Sequence, residues 1–308
     1  MLIRQSAFIN TGNKMLKGGL HCHTKRSDGE LDPADCIRLH AGKGYDFLAL
    51  TDHRVYNYEN FAPETGLLII PGMEIDVGIS SNKGMCFHTV AIGPDNEKNL
   101  FKQDERVDSG SVEDQYGYQP YLDNLKNHGN LAVYCHPNWS RTPVSSFENL
   151  QGCFAMEIWN TCSRDTDNDA DNGYYWDALL TQGKRVYCVA VDDGHRAEQH
   201  GHGWVRVNAE KNVTSVLDAL ENGAFYASCG PEIYDFYVED GVAHVKCSPC
   251  RMIHFIYGLS PTGMKCMQPG GEPVTEDMYY LPKGWTYIRV VVEDEQGRKA
   301  WANPIWLA

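Results

Sequence analysis

The chain contains a series of short apolar segments, and nearly all of them end in polar or charged residues. Runs with helical character separate several of the segments, and the first of these runs begins with Asp32 as N-cap and Pro33 in the first turn. Apolar segments of this length, alternating with helices, are typical of buried parallel strands in βαβ units. The strand candidates are 16–20, 46–51, 67–70, 86–92, 131–135, 154–159 and 186–191. The helix candidates are 33 to about 42 or 44, 121–128, 174–180 and 213–221.

The pattern changes at about residue 229. From there on, short strand candidates follow one another across turns that contain Gly or Pro, without a helical run between them. This pattern predicts a small antiparallel β-sandwich of the immunoglobulin-like kind. We therefore expect an α/β domain over 1–228 and an all-β domain over 229–308. The candidates in the second part are 233–238, 242–247, 252–257, 278–281, 287–292 and 300–307.

Charge narrows the range of partners. The 308 residues include 27 Lys and Arg against 41 Asp and Glu, a formal net charge of −14. A protein that tracks a long nucleic acid needs a basic stripe, so we do not expect such a partner. A small phosphorylated substrate stays compatible with this charge, because bound divalent cations reverse the local sign of a site. Composition leaves the oligomeric state open.

The cysteines and the lack of long apolar runs predict a cytoplasmic protein without a membrane partner. Eleven cysteines form no regular framework, and neither residues 1–12 nor any other stretch contains an apolar run of membrane-spanning length. Cys247 and Cys250 have CxxC spacing. Because no helix start accompanies them and no second pair completes a zinc site, we expect no redox or metal role for this pair.

Residues of the type that binds metal recur at the ends of the predicted strands. His21 and His23 flank Cys22, so in an extended segment their imidazoles point to one face. Asp193 and His195 repeat this spacing after a later strand. Strand ends meet at one face of an α/β barrel, and clustered His and carboxylate side chains suit divalent metals. Further candidates of this kind are Asp28, His53, Glu74, His88 and His136.

Other residues of these types are expected to have ordinary roles. We interpret His40 as a helix residue, His128 as a favourable charge at a helix end, and His244 and His254 as strand residues. Asp52 directly precedes the candidate ligand His53, and Asp192 directly precedes the motif Asp193-Gly194-His195. They are expected to orient neighbouring groups rather than to bind metal.

Six motifs, taken in order, resemble those of the PHP (polymerase and histidinol phosphatase) superfamily over residues 15–228. The run Gly18-Gly19-Leu20 and the run Ala224-Phe225-Tyr226-Ala227-Ser228 before a β-domain resemble its carbaryl-hydrolase-like branch. The resemblance implies a distorted (β/α)7 barrel, similar to a TIM barrel, with two or three divalent ions such as Zn, Mn or Fe. The motifs are His21-x-His23, Ser27-Asp28-Gly29, Thr51-Asp52-His53, Pro71-Gly72-Met73-Glu74, His136-Pro137 and Asp193-Gly194-His195.

The resemblance also implies how the ligands are shared. The first ion would take His21, His23, Glu74 and Asp193, and the second would take Glu74, His88 and His136, with Glu74 bridging. A third ion would take Asp28, His53 and His195. Several members with three ions have a histidine where this chain has Asp28, and an oxygen ligand there shifts the preference towards Mn or Fe.

On this basis we expect a phosphoesterase that hydrolyses a small phosphomonoester or diester with a metal-bridging hydroxide. Glu74, Arg54, Arg141 and His202 are the candidate catalytic residues, with His202 as a leaving-group acid and His200 beside it. The candidate substrate-binding residues are Lys25, Arg26, Asn138 and Arg196. The alternatives are a carbamate or carboxylester hydrolase on the same metal centre, a 5′–3′ exonuclease on short oligonucleotides, and a non-catalytic metal-binding module.

Overall fold

The computed structural model describes residues 5–8, 15–82, 84–95, 97–108, 110–167, 170–258 and 260–307. Part of the start, for which the sequence predicted no membrane-spanning run over residues 1–12, therefore lies outside the described residues. The described part is mixed α/β, with many short strands and few helices. None of its helices has the length and apolar character that crossing a membrane requires.

The described elements are named here in chain order. The strands are β1 Gln5–Ser6, β2 Leu16–Gly19, β3 Phe47–Ala49, β4 Leu68–Ile70, β5 Gly72–Ile79, β6 Cys86–Ile92, β7 Ser111–Val112, β8 Leu131–Tyr134, β9 Cys153–Asn160, β10 Tyr187–Val191, β11 Trp204–Val207, β12 Phe225–Ser228, β13 Ile233–Glu239, β14 Val242–Cys250, β15 Met252–Tyr257, β16 Ser260–Cys266, β17 Val274–Tyr280, β18 Tyr287–Glu293, β19 Lys299–Ala302 and β20 Ile305–Trp306. The α-helices are α1 Pro33–Gly42, α2 Gln119–Asn127, α3 Val144–Phe147, α4 Thr161–Asp167, α5 Gly173–Thr181 and α6 Val213–Glu221. Three 3₁₀ turns cover Pro63–Thr65, Gln115–Tyr118 and Ala197–Gln199.

The four predicted helices are present at or within two residues of their predicted bounds. Helix α6 shows why the sequence defines it well: the Asn212 side chain caps it by accepting a hydrogen bond from the backbone N–H of Ser215. Its buried residues, among them Val213, Val216 and Leu220, recur at helical spacing. Burying each of these side chains stabilises the fold by about 1.5–3 kcal/mol.

The described strands from β2 to β11 belong to two mixed sheets, in contrast to the regular parallel order that the sequence suggested. In the first sheet, β8, β9 and β10 are parallel, but β6 runs antiparallel to both β5 and β8. In the second, β2, β3 and β4 are parallel, while β11 runs antiparallel to β2. The reason is the short connection between β5 and β6, since a parallel pair needs a crossover of a dozen or more residues.

One apolar core joins these two sheets. It contains Phe47 of β3 and Val205 of β11 from one sheet, and Val90 of β6, Val133 of β8 and Val189 of β10 from the other. All of these side chains are buried. The two sheets therefore face each other across a common interior.

The C-terminal part is built from antiparallel strands, as the sequence predicted. Strands β13, β14 and β17 form one sheet, and β15, β16, β18 and β19 lie in another, with Phe236, Val245 and Phe255 in the core between them. The predicted strand 300–307 is split into β19 and β20 around Pro304, which cannot donate a hydrogen bond to a ladder. The sequence missed β16, where Pro261 and Gly263 weaken the strand pattern.

The β-sheet continues across residues 228 and 229. Strand β12 pairs with β11 on one side and with β19 on the other, so Tyr226 faces both Arg206 and Ala302. A buried ion pair between Arg289 of β18 and Asp177 of α5 also joins the two parts. The C-terminal strands are thus physically continuous with the sheet that carries β2.

Candidate metal centre

Backbone hydrogen bonds bring the two histidine-containing motifs together. The Asp193 N–H donates to the carbonyl of His21 (3.0 Å), and the His23 N–H donates to the carbonyl of Gly194 (3.0 Å). Cys22 and Gly194 form a parallel bridge. The segment after β2 therefore runs parallel to the segment after β10. This arrangement places the side chains of both motifs on one side.

Four side chains of these motifs and of β5 converge on a single point. His21 Nε2 and His23 Nε2 lie 3.2 Å apart, and each is 3.2 Å from Glu74 Oε2. Asp193 Oδ1 lies 3.0 Å from His23 Nε2 and 3.3 Å from His21 Nε2. All four residues are buried.

This geometry fits a metal ion better than a set of hydrogen bonds. Ligands about 2.0–2.1 Å from a tetrahedral Zn²⁺ stand about 3.3 Å from one another, close to the spacing seen here. Glu74 Oε2 and His53 Nδ1 are buried and only 3.1 Å apart, yet neither makes a hydrogen bond among the described groups. Buried polar atoms without partners are costly, and a shared cation would satisfy both.

Glu74 stands between two sets of histidines. Its Oε2 faces His21, His23 and His53, while its Oε1 lies 2.9 Å from His88 Nδ1 and 3.6 Å from His136 Nε2. A carboxylate with one oxygen towards each set is suited to bridge two ions. Glu74 lies inside strand β5, whereas the sequence analysis placed it just beyond the strand at 67–70. Pro71 interrupts the chain there, and a new strand begins at Gly72.

A third group of donors lies at the open side of the centre. Asp28 has one oxygen 3.4 Å from His195 Nε2 and 3.7 Å from His53 Nε2, and its other oxygen is 3.5 Å from His23 Nδ1. The Asp28 side chain is 55% exposed, which makes it the most accessible of the predicted ligands in these ion pairs. The structure thus brings together the three residues that the resemblance implied, and adds His23 to them.

The charges within the cluster reinforce one another. Burial alone would lower the pKa of His21, but Asp193, Glu74 and Glu157 raise it well above its ordinary value. Burial would likewise raise the pKa of Glu74, but the charges of His21, His53 and His88 lower it well below its usual range. Without metal, protons on the histidines balance the carboxylates, and a bound metal would displace those protons.

Two of the candidate ligands are held in a strained backbone conformation. His136 has φ = 24° and Asp193 has φ = 50°, in a region that non-glycine residues seldom occupy. Such conformations cost of the order of 1–3 kcal/mol each and cluster at functional sites. The surrounding hydrogen bonds, including those between Asp193 and His21, hold them in place.

Glu157 is a part of the site that the sequence analysis missed. Its Oε1 accepts a hydrogen bond from His21 Nδ1 (2.6 Å), and its Oε2 accepts from the His136 N–H and from the Asn160 side chain. The signal was present, since an ionisable residue in the middle of the apolar segment 154–159 requires a buried partner. Glu157 fixes the ring of His21 so that Nε2 faces the centre.

Asp52 and Asp192 bind the loops that carry the ligands. Asp52 accepts hydrogen bonds from the backbone of Thr24 and Ser27, and Asp192 accepts them from Gly201, His202 and Gly203. Both carboxylates are therefore occupied by backbone amides.

The centre opens into a cavity of about 310 Å³. Trp139 forms one wall and meets the rings of His88 and His136 edge to face. The lining also includes Arg196 and the polar side chains of Ser163 and Thr166. A cavity of this size suits a small molecule rather than a polymer.

The cationic side chains among the catalytic and substrate-binding candidates do not all line one cavity. Arg196 lines the cavity and pairs with Glu198, while Arg26 and Arg54 line a neighbouring cleft together with Arg106, which the sequence analysis did not single out. The Arg26 side chain binds Asn57 and Asp104, and that of Arg54 binds Asp76.

Lys25, Arg141, Asn138 and His202 are not among the residues that line these two cavities. Lys25 pairs with Asp32 at the surface, and Arg141 donates to the carbonyl of Asn138. The ring of His202 is bound through Nε2 to the carbonyl of Glu198. Because the ring is held at this carbonyl and His202 does not line either cavity, the geometry does not support the acid role suggested by the sequence.

Comparisons with known proteins give structural likeness only. No family model and no curated protein matches the chain. The chain is similar to a crystal structure from Bacteroides vulgatus, a two-domain protein containing a predicted PHP-like metal-dependent phosphoesterase. The identity is 15%, the TM-score is 0.49, and the match covers 95% of this chain and 96% of that one.

Two shorter matches cover the larger part of this chain. One is a proposed metal-dependent phosphoesterase from Bifidobacterium adolescentis, at 15% identity and TM-score 0.42, covering 59% of this chain and 89% of that one. The other is an amidohydrolase from Chromobacterium violaceum with bound sulfate and no metal, at 17% identity and TM-score 0.41, covering 58% and 87%. At these values the matches carry no argument about substrate, which depends on the site itself.

Proposed function

We propose that the protein is a metal-dependent hydrolase that cleaves phosphoesters of small molecules. The observation that carries this proposal is the position of Glu74, whose two oxygens face different histidines at the floor of a cavity of about 310 Å³. Eight other side chains of ligand type surround Glu74 or its neighbours: His21, His23, Asp28, His53, His88, His136, Asp193 and His195.

These contacts support three ligand sets. His21, His23, Glu74 and Asp193 would hold one ion, and Glu74, His88 and His136 would hold a second. Asp28, His53 and His195, together with His23, would hold a third. Zn, Mn or Fe ions in such a set supply a hydroxide at neutral pH and offset negative charge on a phosphoryl oxygen.

The charge of the loaded site favours a phosphate in spite of the acidic chain. The predicted ligands include three carboxylates, Asp28, Glu74 and Asp193, and two or three divalent ions would outweigh them. Arg196 adds a positive group at the wall of the cavity. Trp139 would give the organic part of a substrate an apolar surface.

The fold that we propose for this part is a distorted (β/α)7 barrel. The two mixed sheets would be its two sides, since they share one apolar core and β10 also packs beside β11. In such a barrel the metal ligands lie at the strand ends around one rim, which is where barrel enzymes place their chemistry. The division into 1–228 and 229–308 also stays a proposal.

The test is a substrate screen on metal-replete protein. We expect release of phosphate or p-nitrophenol from p-nitrophenyl phosphate or bis-p-nitrophenyl phosphate, and loss of that activity in a His21→Ala, Glu74→Ala double variant. His244→Ala is the matched control, because His244 stacks on Tyr237 in the C-terminal part. Full turnover by the double variant would refute the proposal, and cleavage of aryl carbamates alone would replace it with a carbonyl hydrolase.

A further inference from the structure

Behind the ligand histidines lies a second group of metal-binding side chains. It comprises Cys22, Cys36, His40 and His200, each no more than 1% exposed, and is called here the rear cluster. None of the four residues has a place in the proposed reaction. In the sequence analysis His40 was interpreted as an ordinary helix residue, and Cys22 and Cys36 were not among the candidate ligands.

The fold brings these residues together from three segments. Cys22 lies between His21 and His23, so in this extended segment its side chain points away from the first centre. Cys36 and His40 are four residues apart on α1 and therefore share one helical face. His200 follows the 3₁₀ turn Ala197–Gln199 and packs against Gly194, where a Cβ atom would collide with its ring.

The spacing of these side chains suits a shared ion. The sulfurs of Cys22 and Cys36 lie 3.9 Å apart. Around a tetrahedral Zn²⁺, bond lengths of about 2.3 Å to sulfur give a sulfur–sulfur separation of about 3.8 Å. Cys36, His40 and His200 each offer a donor atom within 4.8 Å of the others.

The buried ring of His200 gives independent evidence for a ligand at the rear cluster. The residue is fully buried, and neither of its ring nitrogens has a hydrogen-bond partner among the described groups. A buried polar group without a partner costs about 1–3 kcal/mol. A metal ion would satisfy one nitrogen of this ring directly.

His40 is prepared for the same role. Its Nδ1 donates a hydrogen bond to the backbone carbonyl of Cys36 (2.8 Å), which leaves Nε2 as the nitrogen with a free lone pair. Metal-binding histidines commonly have this arrangement, with the other ring nitrogen fixed by a backbone carbonyl. Two thiolates, two neutral imidazoles and a divalent ion would carry no net charge, which suits a fully buried position.

We propose that Cys22, Cys36, His40 and His200 form a second, structural metal site for a thiophilic divalent ion, above all Zn²⁺. All four ligands come from the protein, as in structural rather than catalytic zinc sites. The site ties the segment of His21 and His23, helix α1 and the loop after His195 together from behind. Its metal would therefore hold the two motifs of the first centre in register.

The rear cluster can be tested without a known substrate. The ligands proposed for the first centre are nitrogen and oxygen donors only, so a thiolate-to-metal charge-transfer band would come from a cysteine outside that set. Protein freed of metal and reloaded with Co²⁺ should show an intense near-ultraviolet thiolate band. This band should be lost in Cys36→Ser and strongly reduced in His200→Asn, together with about one equivalent of bound metal per chain.

Two controls exclude other cysteines. Cys188→Ser removes a buried thiol of β10 that is not in the rear cluster, and it should keep the band. A Cys247→Ser, Cys250→Ser variant removes the other close sulfur pair, at 3.6 Å, and should also keep it. Absence of the band in Co²⁺-loaded wild-type protein would overturn the proposal, as would its loss only in the Cys247, Cys250 variant. A disulfide between Cys22 and Cys36 in the purified protein would overturn it too.

Discussion

The Nδ1 atom of His21 lies 2.6 Å from Oε1 of Glu157, and both side chains are fully buried. This hydrogen bond fixes the ring of His21 so that its Nε2 atom faces Glu74 and Asp193. The same carboxylate also binds the backbone N–H of His136. One buried acid thus orients candidate ligands of two different ions.

We therefore expect Glu157→Gln to weaken metal binding by about 10- to 100-fold while leaving the fold intact. The amide keeps the shape but loses the charge that supports the His21 ring. Competition with a chromophoric chelator measures the affinity, and circular dichroism checks the fold. Glu221→Gln, at the exposed end of α6, is the matched control. Unchanged affinity in Glu157→Gln would show that its hydrogen bond to His21 does not matter for binding.

Asp28 should decide whether a third ion is retained. Its exposed carboxylate is the link between His53 and His195, so Asp28→Ala should remove about one equivalent of metal and leave the ions at Glu74 in place. Asp28→His should retain the third ion at least as well as the wild type, because imidazole binds Zn²⁺ and related ions well. Elemental analysis after gel filtration gives the counts. Equal metal content in all three proteins would contradict this assignment.

Metal-free protein should lose stability as the pH rises. Burial opposes the charge on His195, but the hydrogen bond to Asp28 and the charge of Asp193 outweigh it and raise its pKa to about 9. Because the folded pKa lies above the unfolded value, this stabilisation is complete below pH 6.5. It disappears as the pH rises from 6.5 to about 9.

Metal-loaded protein should show the opposite trend over the same range, because protons compete with the metal for the histidines. Urea unfolding of chelated and loaded protein at several pH values between 6.5 and about 9 separates the two. His195→Gln should reduce the pH dependence of the chelated form. If the stability of both forms changed with pH in the same way, the proposed link between histidine protonation, metal binding and stability would be refuted.

The ion pair between Arg289 and Asp177 should be essential for stability but not for activity. It is bidentate, with Nε–Oδ1 and NH2–Oδ2 distances of 2.7 Å, and it is buried between β18 and α5. Asp177→Asn should therefore destabilise the protein by about 3–5 kcal/mol, because it leaves a buried guanidinium without its counter-charge. Arg289→Met combined with Asp177→Leu should recover most of this loss in urea unfolding. A loss below about 1 kcal/mol in Asp177→Asn would indicate that water reaches the pair.

His202→Ala should leave the rate of hydrolysis and its pH profile unchanged. The His202 ring is bound to the carbonyl of Glu198 rather than directed into the cavity. The comparison is with Arg196→Ala, which should raise KM for a phosphorylated substrate because Arg196 lines the cavity. A shifted acidic or basic limb of the pH profile in His202→Ala would restore the general-acid assignment.

Spacing along the chain was enough to predict that the first candidate ligands lie on a common face. His21 and His23 are one residue apart in an extended segment, and Asp193 and His195 repeat this spacing, so local geometry alone places each pair on one face. Local sequence was also sufficient to predict the helix bounds, as the capped helix α6 shows. The antiparallel character of the C-terminal part followed from short strands separated by turns.

The tertiary structure decided what depends on contacts between distant segments. The hydrogen bond from His21 to Glu157 joins residues 136 positions apart, and no local pattern indicates such a pair. Strand direction also depends on tertiary contacts, because β6 is antiparallel to the neighbours that it pairs with, β5 and β8.

By itself, the sequence determined which side chains could bind metal and which segments form helices and strands, because both follow from residue type and short-range spacing. Only the tertiary structure decided which donors meet around one ion. It placed His202 outside the cavity and Glu157 behind His21. It also brought His40 and His200 together with Cys22 and Cys36. The physical reason is that a metal site is defined by distances of a few ångströms, and packing of the whole chain sets those distances.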